Sequence, residues 1–291
     1  MKNKIIETKQ DFLAYLNQFN VVPKYDLGQN FLYNETYLSR IMDEIYPDGF
    51  HHVLEIGTGA ASLSRVLAKR AKSLVTIEID NSLQEIIADL SRKFPNVQGI
   101  VTDATTLDLS FLFTEEEKDD LHIVANLPYY ITSDLISQCI VELPQAQSLL
   151  FLVQEDAVPR ICGREGDGKS KSKNQGWLNK FITCYGDIRA MHKVSRDKFY
   201  PSPHVDSQFI LVEKSMKRKQ VLFLERHGHL LLHTIKLAFS QRRKTLVNSF
   251  EQAGLKSSVA RWLEQEDMSA SIRAEELESE DFMSLTRFLF L

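Results

Sequence analysis

Short apolar runs alternate with helical patterns through the middle of the chain. The runs are rich in Val, Ile, Leu and Phe, and the segments between them repeat apolar residues at i, i+3 and i+4, the period of a helix. The runs cover residues 51–57, 73–79, 97–102, 121–127 and 149–155. Strands that are apolar along nearly their whole length are typical of a parallel sheet covered on both faces. The pattern therefore predicts a doubly wound α/β domain with right-handed crossovers.

The pattern changes in the second half of the chain. Two further strand candidates, residues 184–194 and 206–214, follow a segment rich in Gly, Ser and Lys (161–175) that we expect to be a surface loop. Beyond Lys214 only helical patterns remain, at 223–239, 243–254, 257–265 and 273–290, and Gly254 is expected to cap a helix. The sequence predicts two domains, residues 1–212 and a small helical domain over 213–291.

Composition narrows the class of protein. The chain has 291 residues, 43% of them hydrophobic and 25% charged, which is ordinary for a soluble globular protein. No apolar run approaches the roughly 20 residues that cross a bilayer, and charges interrupt the amphipathic residues 1–20, so neither a membrane span nor a signal peptide is expected. Cys139, Cys162 and Cys184 form no closely spaced pair, which favours a reducing cytoplasm over a disulfide framework or a zinc site.

Charge is segregated along the chain although the net charge is only −4. Residues 214–261 hold 11 Lys/Arg and two acids, a local charge of +9, whereas residues 262–291 hold two Arg and eight acids, a local charge of −6. Such a basic stretch indicates contact with phosphates, although two solvated helix faces would give the same pattern. The candidate phosphate contacts are Lys217, Arg218, Lys219, Lys236, Arg242, Arg243 and Lys244.

A glycine turn and two acids follow the first three predicted strands. Gly57 and Gly59 come directly after the first strand, where glycine lets the backbone approach a ligand closely. Glu78 ends the second strand, where an acid can bind both hydroxyls of a ribose. Asp103 ends the third, where a carboxylate can accept from the amino group of adenine. Taken alone, the two glycines are also compatible with a simple tight turn between strand and helix.

Two further residues bear on this site. Ser62 stands where a dinucleotide-binding turn would have its third glycine, which argues against NAD. Glu55 lies inside the first strand and is counted with the cofactor-site residues because it could support the glycine turn from below. A purely structural role for this buried acid remains an equal alternative.

The fourth strand ends in Asn-Leu-Pro-Tyr, which suits chemistry on an adenine amino group. That nitrogen is a poor nucleophile, and rigid acceptors on its N–H bonds would stabilise the positive charge it develops during attack. Asn126 offers an amide oxygen, and Leu127 offers a carbonyl held by the ring of Pro128. Tyr129 could stack on the base, with Phe199 on its other face. A proline-terminated strand with tyrosines in the core is the competing interpretation.

Together these motifs resemble the ribosomal RNA adenine N6-dimethyltransferase family, over residues 24–291. "KYDLGQNFL" (24–32), "LEIGTG", "EID", "TDA" and "NLPYYIT" occur in the order of that family. "FYPSPHVDS", "FSQRRKTLVNS" and "IRAEELESEDFMSL" are its most specific signals here. The resemblance implies a Rossmann-like domain that binds S-adenosylmethionine, with Gln29, Asn30 and Leu32 in the cofactor pocket, followed by a helical RNA-recognition domain.

The resemblance also implies a substrate and leaves alternatives. The expected activity is dimethylation of two neighbouring adenosines near the 3′ end of small-subunit ribosomal RNA, by a cytoplasmic monomer with no membrane partner. The partner would be the RNA or the small subunit. The macrolide-resistance methyltransferases of the large subunit are the nearest alternative. A ribosome-assembly or transcription factor that keeps the fold without turnover is another.

Four features depart from the family pattern or fall outside it. Ala61 replaces a glycine of the turn, which is expected to weaken cofactor binding slightly, and Asp134 stands where proline is common. Residues 175–179 read Gln-Gly-Trp-Leu-Asn instead of Tyr-Gly-Arg-Leu-Ser, so one expected RNA contact is lost. The last feature is a set of histidines that no acid or cysteine completes, so no metal site is expected. They are His227, His229 and His233.

Overall fold

A central sheet organises the chain. The computed structural model describes residues 5–126, 131–163, 176–215, 218–241 and 243–291, and only the backbone of Arg218. The strands are β1 (Phe31–Leu32), β2 (Phe50–Ile56), β3 (Ala71–Glu78), β4 (Val97–Val101), β5 (Leu121–Asn126), β6 (Ser148–Gln154), β7 (Gly186–Val194), β8 (Phe199–Tyr200) and β9 (Ser207–Lys214). Within these residues seven strands form one sheet in the order β4-β3-β2-β5-β6-β9-β7. Strands β2 to β6 run parallel, and β9 is antiparallel to both β6 and β7. The predicted doubly wound α/β fold is confirmed.

Helices cover both faces of this sheet. They are α1 (Lys9–Gln18), α2 (Glu35–Ile45), α3 (Ser62–Ala68), α4 (Gln84–Lys93), α5 (Glu115–Lys118), α6 (Thr132–Glu142), α7 (Val158–Cys162), α8 (Trp177–Tyr185), α9 (Arg218–Ala238), α10 (Leu246–Ser249), α11 (Lys256–Gln265) and α12 (Ser279–Phe290). None of the helices in the described ranges is both long and apolar enough to traverse a bilayer.

Neighbouring residues of the central strand β2 enter different cores. Val53 packs with the cluster under α1 to α4, whereas Leu54 packs with the cluster under α6, α8 and the C-terminal helices. Phe250, Trp262 and Phe282 of the C-terminal region belong to that second cluster. The C-terminal helices therefore share apolar packing with one face of the sheet. The division into domains at residue 212 stays a prediction.

The structure corrects three local predictions. The seventh strand begins at Gly186, because Cys184 and Tyr185 complete the buried end of α8. The helix predicted over 243–254 shortens to α10, and Gly254 (φ +71°) lies in the turn that leads into α11 instead of capping a helix. Ile161 and Cys162 are buried in α7, outside any surface loop, and 164–175 of the predicted loop lie outside the described residues.

Candidate functional site

One cavity opens where the parallel strands end. The strand order reverses between β3-β2 and β5, and open α/β sheets bind ligands at such a point. Its walls come from the ends of β2, β3 and β5, the residues after β4, and the segment around β1. The cavity brings together eight of the predicted cofactor and catalytic residues. They are Gln29, Asn30, Leu32, Gly57, Gly59, Glu78, Asp103 and Asn126.

The glycine turn after β2 forms the floor of the cavity. Gly57 (φ +86°) and Gly59 (φ +53°) take left-handed conformations that glycine adopts without steric cost. A Cβ on Gly59 would lie 3.0 Å from Cδ1 of Phe31, so the turn also needs glycine for space. Ala61 (φ +63°) holds the same left-handed conformation with a side chain, is fully buried and is not among the cavity walls. The departure from the family glycine therefore strains the backbone and leaves the lining of the cavity unchanged.

Glu78 is oriented by the backbone around it. Its Oε2 accepts from the N–H of Gly59 (2.7 Å) and its Oε1 accepts from the N–H of Asp80 (2.9 Å). Burial raises the pKa of this carboxyl, although backbone hydrogen bonds from Asp80, Gly59 and Ile79 act to lower it. The acid that ends β3 is thus fixed to the glycine turn, in a wall of the cavity.

Glu55 does not reach the cavity, which corrects its place among the cofactor-contacting residues. It is fully buried, and its Oε2 accepts from the hydroxyl of Thr76 (2.6 Å), whose oxygen lies 2.6 Å from that of Thr58. The chain of polar groups runs beneath the glycine turn, because Thr58 stands between the two glycines. Burial raises the pKa of Glu55 to about 8, so the carboxyl is protonated at neutral pH. Its position is that of a structural support.

Asp103 presents one carboxylate oxygen that the turn does not use. Oδ1 accepts from the N–H of Thr105 (2.9 Å) and from its hydroxyl (2.7 Å). Oδ2 accepts from none of the described residues. The turn over residues 104–106 thereby holds the carboxylate in the cavity wall, as the sequence predicts for an acceptor of an adenine amino group.

Asn126 ends β5 inside the cavity. Its Nδ2 lies 3.5 Å from the backbone oxygen of Asn30, so the predicted catalytic amide meets the predicted cofactor segment. Leu127, Pro128 and Tyr129, the remaining residues of the predicted motif, lie outside the described residues. Ile131 and Leu135 continue the cavity wall beyond them.

Phe199 is placed differently from the prediction. The sequence suggested a ring that stacks on the base, but Phe199 pairs with Leu32 in the small β1–β8 sheet and is only 3% exposed. A ring enclosed in the core has no face for a base, so this placement does not support the stacking role.

The sequence predictions missed several apolar residues of the cavity wall, among them Phe31 and Ile79. Phe31 lies against Gly59, and Ile79, which directly follows Glu78, lines the cavity while remaining 51% exposed. In the sequence, an apolar residue directly after a predicted site acid at a strand end is the signal that could have identified Ile79.

Apart from Lys236, the predicted phosphate contacts separate into three groups. Lys217, Arg242 and the side chain of Arg218 lie outside the described residues. Arg243 and Lys244 line a second cleft, together with Arg160, Arg273 and Trp177, which sequence reasoning missed because they are far apart in the chain. Lys219 is exposed and is not among the residues that line this cleft.

Lys236 is engaged within the protein. Its Nζ lies 3.7 Å from Oδ1 of Asp134 and 4.7 Å from the ring centre of Trp177. The two partners are both departures from the family pattern. An ammonium balanced by a carboxylate and an aromatic ring is a weaker phosphate ligand than predicted.

Two of the three histidines singled out in the sequence make ring contacts. His227 packs against Phe223, with 5.2 Å between ring centres, and His233 against Phe290, with 5.9 Å. Across the described ranges no group of three or more His, Cys, Asp or Glu side chains could hold a metal ion.

Comparison with known proteins identifies the family of this chain. A family model described as ribosomal RNA adenine dimethylase matches residues 22–290. The ribosomal RNA small subunit methyltransferase A of Clostridium botulinum (strain Kyoto) is 31% identical over 283 residues, with 94% of this chain and 99% of the relative covered. The protein of that name from Leuconostoc mesenteroides is 33% identical over 279 residues, covering 94% and 92%.

Solved structures share the fold. The 23S rRNA methyltransferase ErmE superposes with a TM-score of 0.56 at 24% identity, covering 90% of this chain and all of that one. A dimethyladenosine transferase from Plasmodium falciparum gives a TM-score of 0.62 at 19% identity, covering 97% and 96%.

Proposed function

Because the chain belongs to the ribosomal RNA adenine dimethylase family, we propose that it methylates N6 of two neighbouring adenosines near the 3′ end of small-subunit ribosomal RNA. S-adenosylmethionine is the proposed donor. The observation that carries the proposal is the position of Asn126, whose amide stands in the same cavity as Glu78 and Asp103. The two acids proposed to bind the donor nucleoside and the amide proposed to bind the target amino group therefore line the same cavity.

The cavity fits the proposed donor. The Glu78 carboxylate, fixed by two backbone N–H groups, would hold the ribose hydroxyls, and Asp103 would accept from the adenine amino group. Ile79 supplies an apolar surface for the flat base, and the turn at Gly57 and Gly59 lets the backbone approach the ligand. The bound donor supplies a methyl group on a sulfonium, which is already activated for transfer.

Asn126 acts on the acceptor nitrogen. Its amide oxygen would accept a hydrogen bond from the target amino group and stabilise positive charge that develops on the nitrogen as it attacks. The contact with the backbone of Asn30 helps hold the amide in place before substrate binds. An acceptor fixed in advance favours the transition state because it needs no reorganisation during reaction.

The relatives favour the small subunit over the large one. Proteins that carry the small-subunit name match more than nine-tenths of the chain at 31% and 33% identity. The likeness to the large-subunit enzyme ErmE, at 24% identity, shows the fold alone. The large-subunit alternative is therefore not favoured.

The second cleft is the proposed path of the RNA backbone. Arg160, Arg243, Lys244 and Arg273 line it. Ser133, also in its wall, lies at the start of α6, which follows the Asn-Leu-Pro-Tyr motif along the chain. Phosphates held there would present an adjacent nucleotide toward the cavity. Residues 213–291 would thus bind RNA together with Arg160 and Ser133 of residues 1–212, and the donor cavity lies within residues 1–212.

The proposed setting is a monomer in the cytoplasm. The three cysteines are buried thiols, as expected for a reducing compartment. A methyl-transfer assay, run on naked small-subunit RNA and on an assembly intermediate, compares these two forms of the substrate.

Transfer of tritiated methyl groups to purified ribosomal subunits tests the proposal. Label is expected in the small subunit, and mass spectrometry of ribosomal RNA from cells with and without the gene should show the two dimethyladenosines only when the gene is present. Label in the large subunit alone would refute the small-subunit target. No label in either subunit would favour a binding protein without turnover.

A variant tests the role of Asn126. Asn126→Ala should lower kcat by about 100-fold or more, because one fixed charge-stabilising hydrogen bond is lost. Donor binding, measured by calorimetry, should remain nearly intact. Asn17→Ala, on the exposed surface of α1, is the matched control and should keep full activity. Unchanged turnover of Asn126→Ala would overturn the assigned role.

A further inference from the structure

A short segment forms one wall of the donor cavity. We call residues 24–32 the strap; its residues from Leu27 to Leu32 line the cavity. The strap begins with a turn, Tyr25–Leu27, which ends at Gly28 in a left-handed conformation (φ +62°). It ends in β1, where Phe31 and Leu32 pair with β8. The end at β1 is therefore held by strand pairing, and the other end needs a different anchor.

Asp80 provides that anchor. Its Oδ1 accepts from Nζ of Lys24 (2.6 Å), and its Oδ2 accepts from Nε2 of Gln29 (2.7 Å). The N–H and hydroxyl of Ser82 also donate to Oδ1, which fixes the carboxylate. Asp80 is only 3% exposed, and a buried carboxylate is stable only with such partners. Burial by itself would raise its pKa, but the bonds from Lys24, Ser82 and Gln29 outweigh it and lower the pKa to about 2.

Gln29 acts through this anchor. The sequence resemblance places it among the residues of the cofactor pocket, and it does line the cavity. Its amide, however, is engaged at both ends: Nε2 donates to Asp80, and Oε1 accepts from the N–H of Lys24 (2.8 Å). The side chain thus connects the start of the strap to its middle, and connects both to Asp80, two residues after the end of β3.

The strap connects the proposed ribose-binding side of the cavity with the side that holds Asn126. On one side, the N–H of Asp80 donates to Glu78, the proposed ribose acid. On the other, Nδ2 of Asn30 donates to the oxygen of Gly28 (3.1 Å), and the oxygen of Asn30 lies 3.5 Å from Nδ2 of Asn126. Movement of the strap would therefore change the positions of both Glu78 and Asn126, at the two ends of the donor site.

We propose that Asp80 is a positioning residue that latches the strap over the donor through Lys24 and Gln29, and so sets how long the donor stays bound. The inference rests on the proposed function, since it assumes a donor in the cavity. The Lys24 side chain is 48% exposed, so water can replace its bond when the latch opens. The strand pairing at β1 would persist while the other end of the strap moves, and Gly28 can accommodate the change in backbone conformation.

Variants of Lys24 remove the cation of the latch and leave the Asp80 carboxylate its hydrogen bonds from Gln29 and Ser82. Lys24→Met should raise the dissociation rate of S-adenosylmethionine about tenfold, as expected for the loss of one hydrogen bond to a charged group. The KM for the donor should rise in parallel, while kcat at saturating donor stays within about twofold. Lys24→Arg should restore slow release, because it keeps a cation that can reach Asp80. Asp80→Asn provides a second variant with an effect in the same direction.

A matched control separates the latch from general stability. Lys93→Met removes a lysine–aspartate pair of similar length, 2.5 Å to Asp89, on the surface of α4. It should leave donor release unchanged. If Lys24→Met and Asp80→Asn release the donor at the wild-type rate, or only lower Tm, the latch is refuted. If the wild-type chain neither binds the donor nor methylates small subunits, the proposed function fails first, which is a distinct result.

Discussion

The buried acid beneath the glycine turn makes a prediction about stability and pH. Burial raises the pKa of Glu55 to about 8 in the folded protein, against an ordinary value of 4.5. Between these values the folded protein keeps a proton that the unfolded chain has released. The contribution of Glu55 to the free energy of unfolding should therefore be largest below pH 4.5, and it should fall as pH rises toward 8.

The size of the effect follows from proton linkage. One group that differs fully in protonation changes the free energy of unfolding by about 1.4 kcal/mol per pH unit. Between pH 5 and pH 7 the contribution of Glu55 should thus decline by about 2–3 kcal/mol. Glu55→Gln keeps an acceptor for the Thr76 hydroxyl but carries no titrating proton, so it should lack this slope.

Urea unfolding of both proteins from pH 5 to pH 8 measures the difference. The wild-type free energy of unfolding, minus that of Glu55→Gln, should decrease steadily across the range. Glu78, whose pKa burial also raises, is present in both proteins, so its own titration largely cancels. Glu116→Gln, at an exposed position of α5, is the control and should give a flat difference. Parallel curves for wild type and Glu55→Gln would refute the assignment of a buried, protonated carboxyl.

Two further predictions address the turn and the basic surface. The free energy of unfolding of Ala61→Gly, measured with denaturant, should stay within about 1 kcal/mol of the wild-type value, because relief of the left-handed strain offsets the lost buried methyl. The free energy of unfolding of Ala61→Val should be lower than the wild-type value by about 2 kcal/mol or more. Equal stability of the two variants would contradict the left-handed backbone. Lys244→Ala should reduce the slope of log affinity for RNA against log salt by about 0.7–0.9, whereas Lys236→Ala should leave that slope unchanged because Asp134 already balances Lys236. A smaller salt slope for Lys236→Ala and an unchanged slope for Lys244→Ala would contradict the cleft as the path of the RNA backbone.

Local patterns in the sequence predicted the frame of the site well. The strand predicted at 73–79 is β3 (Ala71–Glu78), because a doubly covered parallel strand needs a continuous apolar run. The positions of Glu78 and Asp103 followed, since residues at the carboxyl ends of adjacent parallel strands face the same edge. Periodicity and turn chemistry are short-range properties, so a single sequence can reveal them.

Long-range pairings could not be predicted in the same way. Lys24 and Asp80 are 56 residues apart, and no local period connects them. Arg160 and Arg273 meet Lys244 in one cleft only because α7 and the C-terminal region pack together. Phe199 was misplaced for the same reason, since its burial depends on a two-residue pairing with β1. Each of these contacts is decided by tertiary packing.

The arrangement of the last strands has a consequence for synthesis on the ribosome. In the sheet β9 (Ser207–Lys214) lies between β6 and β7, although β7 (Gly186–Val194) precedes it in the chain. A nascent chain can pair β2 to β6 as soon as residue 154 has emerged, but β7 must wait for β9 to be inserted beside β6. The parallel half, with its glycine turn and site acids, can therefore assemble during translation, whereas the antiparallel edge closes late, shortly before the C-terminal helices emerge.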